Sequence, residues 1–203
     1  MMTGYDTSKI KLAALSTVLF LLPTALAAEQ VQVTLDPAKS KIEWTLSDVL
    51  HTVHGTFKLK GGTILYDPAS GAASGDIVVD AASGESGNHT RDSKMHKEIL
   101  ESKKYPEITF FPKHVAGRVV KGSSEVEVEG TMRIHGSDHD LPLRLEVQAI
   151  AAQVTAITNF IVPYEAWGLK NPSTLFLRVE NKVAINVSTV GNIGSASAAG
   201  TTH

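Results

Sequence analysis

Along most of the chain, apolar and polar side chains trade places every second residue. Ile42, Trp44 and Leu46 alternate with Lys41, Glu43, Thr45 and Ser47, the period of a half-buried strand. Phe57 and Leu59 continue it between Lys58 and Lys60, Gly61-Gly62 predicts a kink or bulge, and Ile64 and Tyr66 resume the run. Asp67-Pro68-Ala69-Ser70-Gly71 is turn chemistry, followed by a short strand from Ser74 to Asp80 with Ile77 and Val79 on one face. Ile108 and Phe110 form another before Pro112. Val126, Val128, Gly130, Met132 and Ile134 share one parity, against charged and polar residues from Glu125 to His135. Gly136-Ser137-Asp138 predicts a turn, after which Leu141, Leu143, Leu145, Val147 and Ala149 face one way. Val154 to Tyr164 is apolar on both faces in places. Leu175, Leu177 and Val179, then Val183, Ile185 and Val187, predict the final strands.

One segment breaks the period. After the loop Gly84 to Asn88, Met95, Ile99 and Leu100 recur at helical spacing among charged residues. Thr90 or Asp92 is the expected cap, and Tyr105-Pro106 the stop. The chain therefore reads as all-β: about eight antiparallel strands with one helix inserted mid-chain. A meander of this kind must hide an apolar face and two edges. Closure into an up-and-down barrel does both, while a two-sheet sandwich satisfies the same local pattern. The inward residues of such a barrel include Trp44, Leu46, Phe57, Leu59, Val79, Phe110, Val128, Met132, Ile134, Leu143 and Leu177. They either fill the core or line a site for one small ligand.

The two termini read differently. Lys9 and Lys11 precede an uncharged run from Leu12 to Leu22, then Pro23 and Ala25-Leu26-Ala27. That is the order of a secretory signal with its cleavage site, and the run is about half the roughly 20 residues of a membrane span. The expected organisation is a signal over 1–27, a barrel domain over 28–190 and a disordered Gly/Ser/Ala/Thr tail over 191–203. No second apolar run reaches membrane length. The mature chain is then a soluble exported protein, periplasmic or secreted.

The chain has 203 residues, a formal net charge of -2 and no cysteine. Near-neutral charge argues against a nucleic-acid binder. The lack of cysteine removes disulfides, Fe–S clusters, zinc ribbons and thiol nucleophiles together. An exported domain without disulfides must hold itself together through its own core.

Candidate chemistry is sparse. His135-Gly136-Ser137-Asp138-His139-Asp140 could gather metal ligands in a tight turn, but a zinc site needs three or four. His89, Arg91, Asp92 and His96 cluster at the start of the helix, where Asp92 reads as a cap or a partner of Arg91. No Gly-x-Ser-x-Gly, phosphate loop or dinucleotide fingerprint occurs. Neither a catalytic residue nor a cofactor is expected.

The stretch Ser83 to Asn88, Arg91-Asp92, Met95-His96 and Lys104-Tyr105-Pro106-Glu107-Ile108-Thr109-Phe110 resembles the centre of the YceI-like family. Ser40 to Trp44, His51 with Gly55 and Phe57, and Gly130 to Gly136 match other family pieces in order, so that the resemblance covers about residues 33 to 188. It implies a lipocalin-like barrel, an exported bacterial protein that is often a homodimer, and a long-chain lipid inside, polyisoprenoid or fatty-acid-like. It implies no established catalytic activity. Arg91, Met95 and Ile99 then join the candidate ligand-binding residues at the mouth, with Lys94 and Lys97 as further cations for a pyrophosphate head. Ser93-Lys94-Met95 and Ile99-Leu100-Glu101-Ser102 depart from the family's usual helix. Carriage of a hydrophobic molecule is therefore the leading expectation. A metal-binding or hydrolytic protein using the His135–Asp140 turn, and a filled barrel serving as an interaction module, are the alternatives.

Overall fold

A computed structural model describes residues 30–47, 51–173 and 178–195. Nine strands occupy them: β1 (Val31–Leu35), β2 (Lys41–Ser47), β3 (Thr52–Tyr66), β4 (Ala73–Glu85), β5 (Glu107–Ala116), β6 (Gly122–Ile134), β7 (Ser137–Ile150), β8 (Gln153–Val162) and β9 (Val183–Ser195). From β2 to β9 each strand pairs antiparallel with the next in sequence, and β2 pairs with β9 to close the ring. β1 pairs with the far ends of the same two neighbours as β2, namely β3 and β9. The two therefore form one stave of an eight-stave barrel. The expected up-and-down closure is present, and the sandwich is not.

The stave is broken by a single 3₁₀ turn, Pro37–Lys39, in which the Asp36 carboxylate accepts from the Ala38 amide at 3.0 Å. Ser40 Oγ donates to the Asp36 carbonyl at 2.8 Å and accepts from the Val190 amide at 3.2 Å. These bonds stitch the break to β9.

Local sequence sets the other joints. Gly61-Gly62 is a bulge: the β3–β4 register jumps between Leu59 and Gly61. The β6–β7 hairpin turns on His135 and Gly136, at φ +51° and +78°, the two left-handed residues that a tight hairpin needs. The turn therefore lies one residue earlier than Gly136-Ser137-Asp138, and Ser137 already pairs with Ile134. β5 does not stop before Pro112. It runs on to Ala116, with a register jump between Pro112 and His114 beyond the end of its β4 pairing, where no ladder bond needs the missing N–H.

Three other expectations change. β1 is an additional strand: Val31, Val33 and Leu35 alternate with Gln32 and Thr34, a five-residue signal that the expected strands leave out. The tail placed at Gly191 starts too early, because Gly191 to Ser195 continue β9 and pair with β1. Gly191 is a packing residue there: a Cβ on it would lie 2.7 Å from Val33 Cγ1. Of the strand expected around Leu175 to Val179, Leu175 and Leu177 lie outside the described residues, and Val179 makes only an isolated bridge. The segment 1–27 and residues 196–203 also lie outside them.

The inserted helix α1 (His89–Lys94) continues as a π turn, Met95–Ile99, whose Leu100 amide reaches the Met95 carbonyl at 2.9 Å. Its cap is neither Thr90 nor Asp92 but Asn88, whose side chain accepts from the Thr90 and Arg91 amides at 3.1 Å.

Among the described residues no helix is long and apolar enough to cross a membrane. The outward positions of β6 carry Glu125, Glu127, Glu129 and Arg133, all exposed.

Candidate functional site

The inward residues enclose a cavity of about 1180 Å³ that runs the length of the barrel. β6 shows how: Val126, Val128, Gly130, Met132 and Ile134 are buried on one parity. In a closed barrel every inward side chain meets the same interior. No large side chain among the described residues is buried completely. Trp44 and Leu59 keep 6% of their surface, Phe110 and Leu143 keep 8%. A filled core packs without such gaps, so the barrel is hollow.

The structure places thirteen of the fourteen candidate residues on this wall. Trp44 and Leu46 come from β2, Phe57 and Leu59 from β3, and Val79 from β4. Phe110 comes from β5, Val128, Met132 and Ile134 from β6, and Leu143 from β7. Arg91, Met95 and Ile99 come from the helical segment. Leu177 lies outside the described residues. Sequence reasoning missed the β8 and β9 wall, including Thr158, Phe160, Ile185 and Val187. β9 had carried a clear signal. β8 had not, because Ile157 and Ile161 on its outer face are 41% and 50% exposed and blur its parity. Tyr164 and Leu169 were also missed. They are buried in a stretch without regular periodicity, 163–173, and pack with Leu100 and Ile134 at one end of the barrel.

Glycines make room for the wall's large rings. A Cβ on Gly55 would sit 2.3 Å from the Trp44 indole, and one on Gly84 would sit 2.5 Å from Phe57 and 2.8 Å from the Met95 methyl.

Polar groups on the wall gather near its ends. Asn88, Thr90, Arg91 and Lys94 line it beside α1; Lys97 does not. Arg91 is anchored rather than ion-paired: Nε donates to Ser86 Oγ at 2.7 Å and Nη2 to the Ser86 carbonyl at 2.9 Å. Ser86 Oγ in turn bonds the Asp92 carboxylate. Desolvation pushes the Asp92 carboxyl upward. Bonds from the Ser86 hydroxyl and amide, with Arg91 nearby, outweigh that and hold it below its ordinary value. His96 Nε2 lies 2.8 Å from the Gly84 carbonyl and fastens the π turn to β4.

The His135–Asp140 turn does not converge on a point. Asp138 forms a bidentate pair with Arg133 at 2.7 and 2.8 Å, which holds its carboxyl below the usual range. Asp140 accepts from Lys113 and Thr131, both at 3.2 Å. His135 Nε2 meets Glu101 at 2.7 Å, and His139 stacks on Trp167 with ring centres 4.3 Å apart. Among the described residues no group of three or more His, Asp or Glu is placed to hold a metal ion. The metal reading of this turn is thereby corrected: the hairpin's regular pairing sends its four titratable side chains to separate partners.

A family model for the YceI-like domain matches residues 33–190. The chain belongs to the YceI-like family. The chain also aligns with a UPF0312 protein of Vibrio cholerae at 32% identity, over 46% of this chain and 49% of the relative. With a UPF0312 protein of Pseudomonas putida the identity is again 32%, over 61% and 64%. The chain thus spans between about half and just under two thirds of these relatives. Among solved structures, Burkholderia cenocepacia BcnA shares the fold at a TM-score of 0.64 and 22% identity, over 77% of this chain and 98% of that one. A Saccharophagus degradans domain, described as polyisoprenoid-binding and implicated in plant cell wall breakdown, follows at 0.61 and 15%, over 80% and 98%. At these identities the likeness is one of fold: a closed lipocalin-like barrel with a short helix.

Proposed function

We propose that this YceI-like barrel holds the apolar chain of a lipid, polyisoprenoid or fatty-acid-like, and acts as an exported soluble carrier. One observation carries the reading: the barrel is closed by its own strands, yet its interior is an apolar cavity of about 1180 Å³. Small-molecule sites occupy roughly 300–1,000 Å³, so the space suits a long or bulky ligand. Burying such a chain gains about 25 cal/mol per Å² taken from water. The Saccharophagus domain, described as polyisoprenoid-binding, supports the ligand class. The Lys9 to Ala27 pattern supports export. The reading assigns no catalysis.

Native mass spectrometry of protein purified from its host, followed by organic extraction, tests it. The expected result is a stoichiometric lipid, and a mature chain beginning near Ala28. Repeated recovery of empty protein that takes up neither prenyl nor acyl probes would dismiss the carrier.

A further inference from the structure

One inward hydroxyl stands apart from the apolar wall around it. Thr158 lies on β8 between Ala156 and Phe160, keeps 8% of its surface, and lines the cavity. Its Oγ1 is buried and has no hydrogen-bond partner among the described residues. Thr189, on neighbouring β9, shows the ordinary alternative: its hydroxyl donates to the Ala156 carbonyl at 3.5 Å. Buried polar atoms are nearly always satisfied, and an orphan costs more than a made bond returns. The other cavity-lining groups with charge, Arg91, Lys94 and Lys121, lie near the barrel ends. Thr158 is four or five residues from either end of β8, about 13–17 Å along the strand at 3.3 Å per residue. It is therefore a polar point midway down an apolar tunnel.

A second orphan lies on the same wall. Trp44 is 6% exposed, and its buried Nε1 has no hydrogen-bond partner among the described residues. Thr158 pairs with Val187 on β9 and Trp44 with Ile185, so the two residues flank one strand, Trp44 two residues nearer the α1 end. An indole N–H can only donate, and a threonine hydroxyl can donate. Both therefore suit the same kind of ligand atom, an acceptor oxygen.

We propose that Thr158 forms an internal polar subsite selecting an apolar chain that carries a hydrogen-bond-accepting oxygen partway along, rather than a plain hydrocarbon chain. This rests on the carrier reading and narrows its ligand class. One hydrogen bond contributes about 0.5–1.5 kcal/mol, which is roughly a threefold to tenfold effect on affinity.

The test uses the full mature protein and displacement of a bound lipophilic dye. The probes are unsubstituted 18-carbon fatty acid and a series of 18-carbon acids with a ketone at successive positions. Wild type, Thr158→Val and Thr158→Ser are compared. Val keeps the shape and removes the hydroxyl; Ser keeps the hydroxyl. At one or more ketone positions, wild type and Thr158→Ser should bind about threefold to tenfold tighter than Thr158→Val, while the unsubstituted acid binds all three alike. If Thr158→Val binds every ketone chain as wild type does, the subsite is overturned and the carrier reading stands. If wild type binds none of these acids but takes up a prenyl probe, the subsite is overturned; if it binds neither, both fall.

Discussion

Gly130→Ala puts the hollow-barrel geometry under direct strain. Gly130 faces inward on β6, between Val128 and Met132, and pairs with Pro112 on one side and Leu141 on the other. A Cβ there would lie 2.3 Å from Phe110 Cζ, 2.7 Å from Phe110 Cε2 and 2.7 Å from the Phe111 carbonyl oxygen. Real Cβ atoms do not approach so closely, so something must move. The carbonyl belongs to a paired strand and cannot give cheaply. The Phe110 ring can, but only by swinging into the cavity. Overpacking of this kind costs about 1–3 kcal/mol, which for a domain of this size lowers Tm by roughly 3–10 °C. Phe110→Leu removes the two ring atoms in closest conflict. The double variant should therefore lose less stability than the two single losses together, with a coupling of about 0.5–1 kcal/mol or more. Thermal unfolding followed by circular dichroism for all four proteins gives the cycle. Dye displacement reports the second consequence, a weaker grip on long chains in Gly130→Ala as the ring occupies the interior. Unchanged Tm in Gly130→Ala, or strict additivity with Phe110→Leu, would show that Gly130 is not where the ring needs its room.

Three further outcomes follow from the same geometry. A ligand that binds only the folded barrel must stabilise it by about 2.7 kcal/mol at a hundredfold excess over Kd, so calorimetry should show Tm rising by several degrees with a prenyl or acyl probe; a flat titration would count against an interior site. Burial, with Glu165 nearby, pushes the Tyr164 phenol up to about 12 from 10, and its hydroxyl donates to the Glu180 carbonyl at 2.5 Å. Because the folded value is the higher one, this stability is complete below pH 10 and is lost as pH rises through 12; Tyr164→Phe should cost about 0.5–1.5 kcal/mol at neutral pH and flatten the alkaline limb of the stability profile. His135→Asn keeps a side chain that tolerates φ +51° but loses the bond to Glu101, so hydrogen exchange at Lys104 and Tyr105, whose amides bond the Glu101 carbonyl, should accelerate while the β6–β7 amides stay protected.

Where two faces of a strand differed in polarity, the chain announced its own architecture. β6 and β7 alternate without a break, and their inward residues were readable one by one. The Gly61-Gly62 bulge was legible because no other residue pair weakens a strand in that way. Four features were not, each for a physical reason. β8 has isoleucines on its outer face, so period two loses its contrast. The 163–173 stretch buries Tyr164 and Leu169 through tertiary packing, with no local period to reveal it. Gly191 read as a linker residue because the side chains that need its missing Cβ, Val33 and Leu35, are more than 150 positions away. Asn88 was passed over as the cap because Thr90 and Asp92 carry the same kind of oxygen, and only backbone conformation separates them. Within the cavity, Thr158 was invisible for a related reason. A threonine on a strand is ordinary in sequence, and becomes informative only when its hydroxyl is seen to have no partner.

The hollow interior and the missing cysteines together constrain how this barrel can be stable. A globular domain of this size normally gains most of its stability by filling its centre. Here the buried side chains line a hollow instead. The larger cluster follows the inward faces of β5, β6 and β7, including Phe110, Val128 and Leu143, and reaches Leu100, Tyr164 and Leu169 at one end. A smaller one joins Leu35, Ile42 and Leu59 beside the break between β1 and β2. Between them, stability rests on a ring in which each strand is hydrogen-bonded on both sides, and those bonds do not depend on what the interior contains. Such a wall can stay closed whether or not a chain occupies the tunnel. Exchange through the strands would break the ladder, whereas exchange at the α1 end would not. α1 itself has no buried residue. It is held by its Asn88 cap and the bonds among Ser86, Arg91 and Asp92, each individually a modest contribution. Continuous pairing therefore holds the tube and a few local bonds hold α1, so on the carrier reading proposed above exchange at α1 disturbs the least structure.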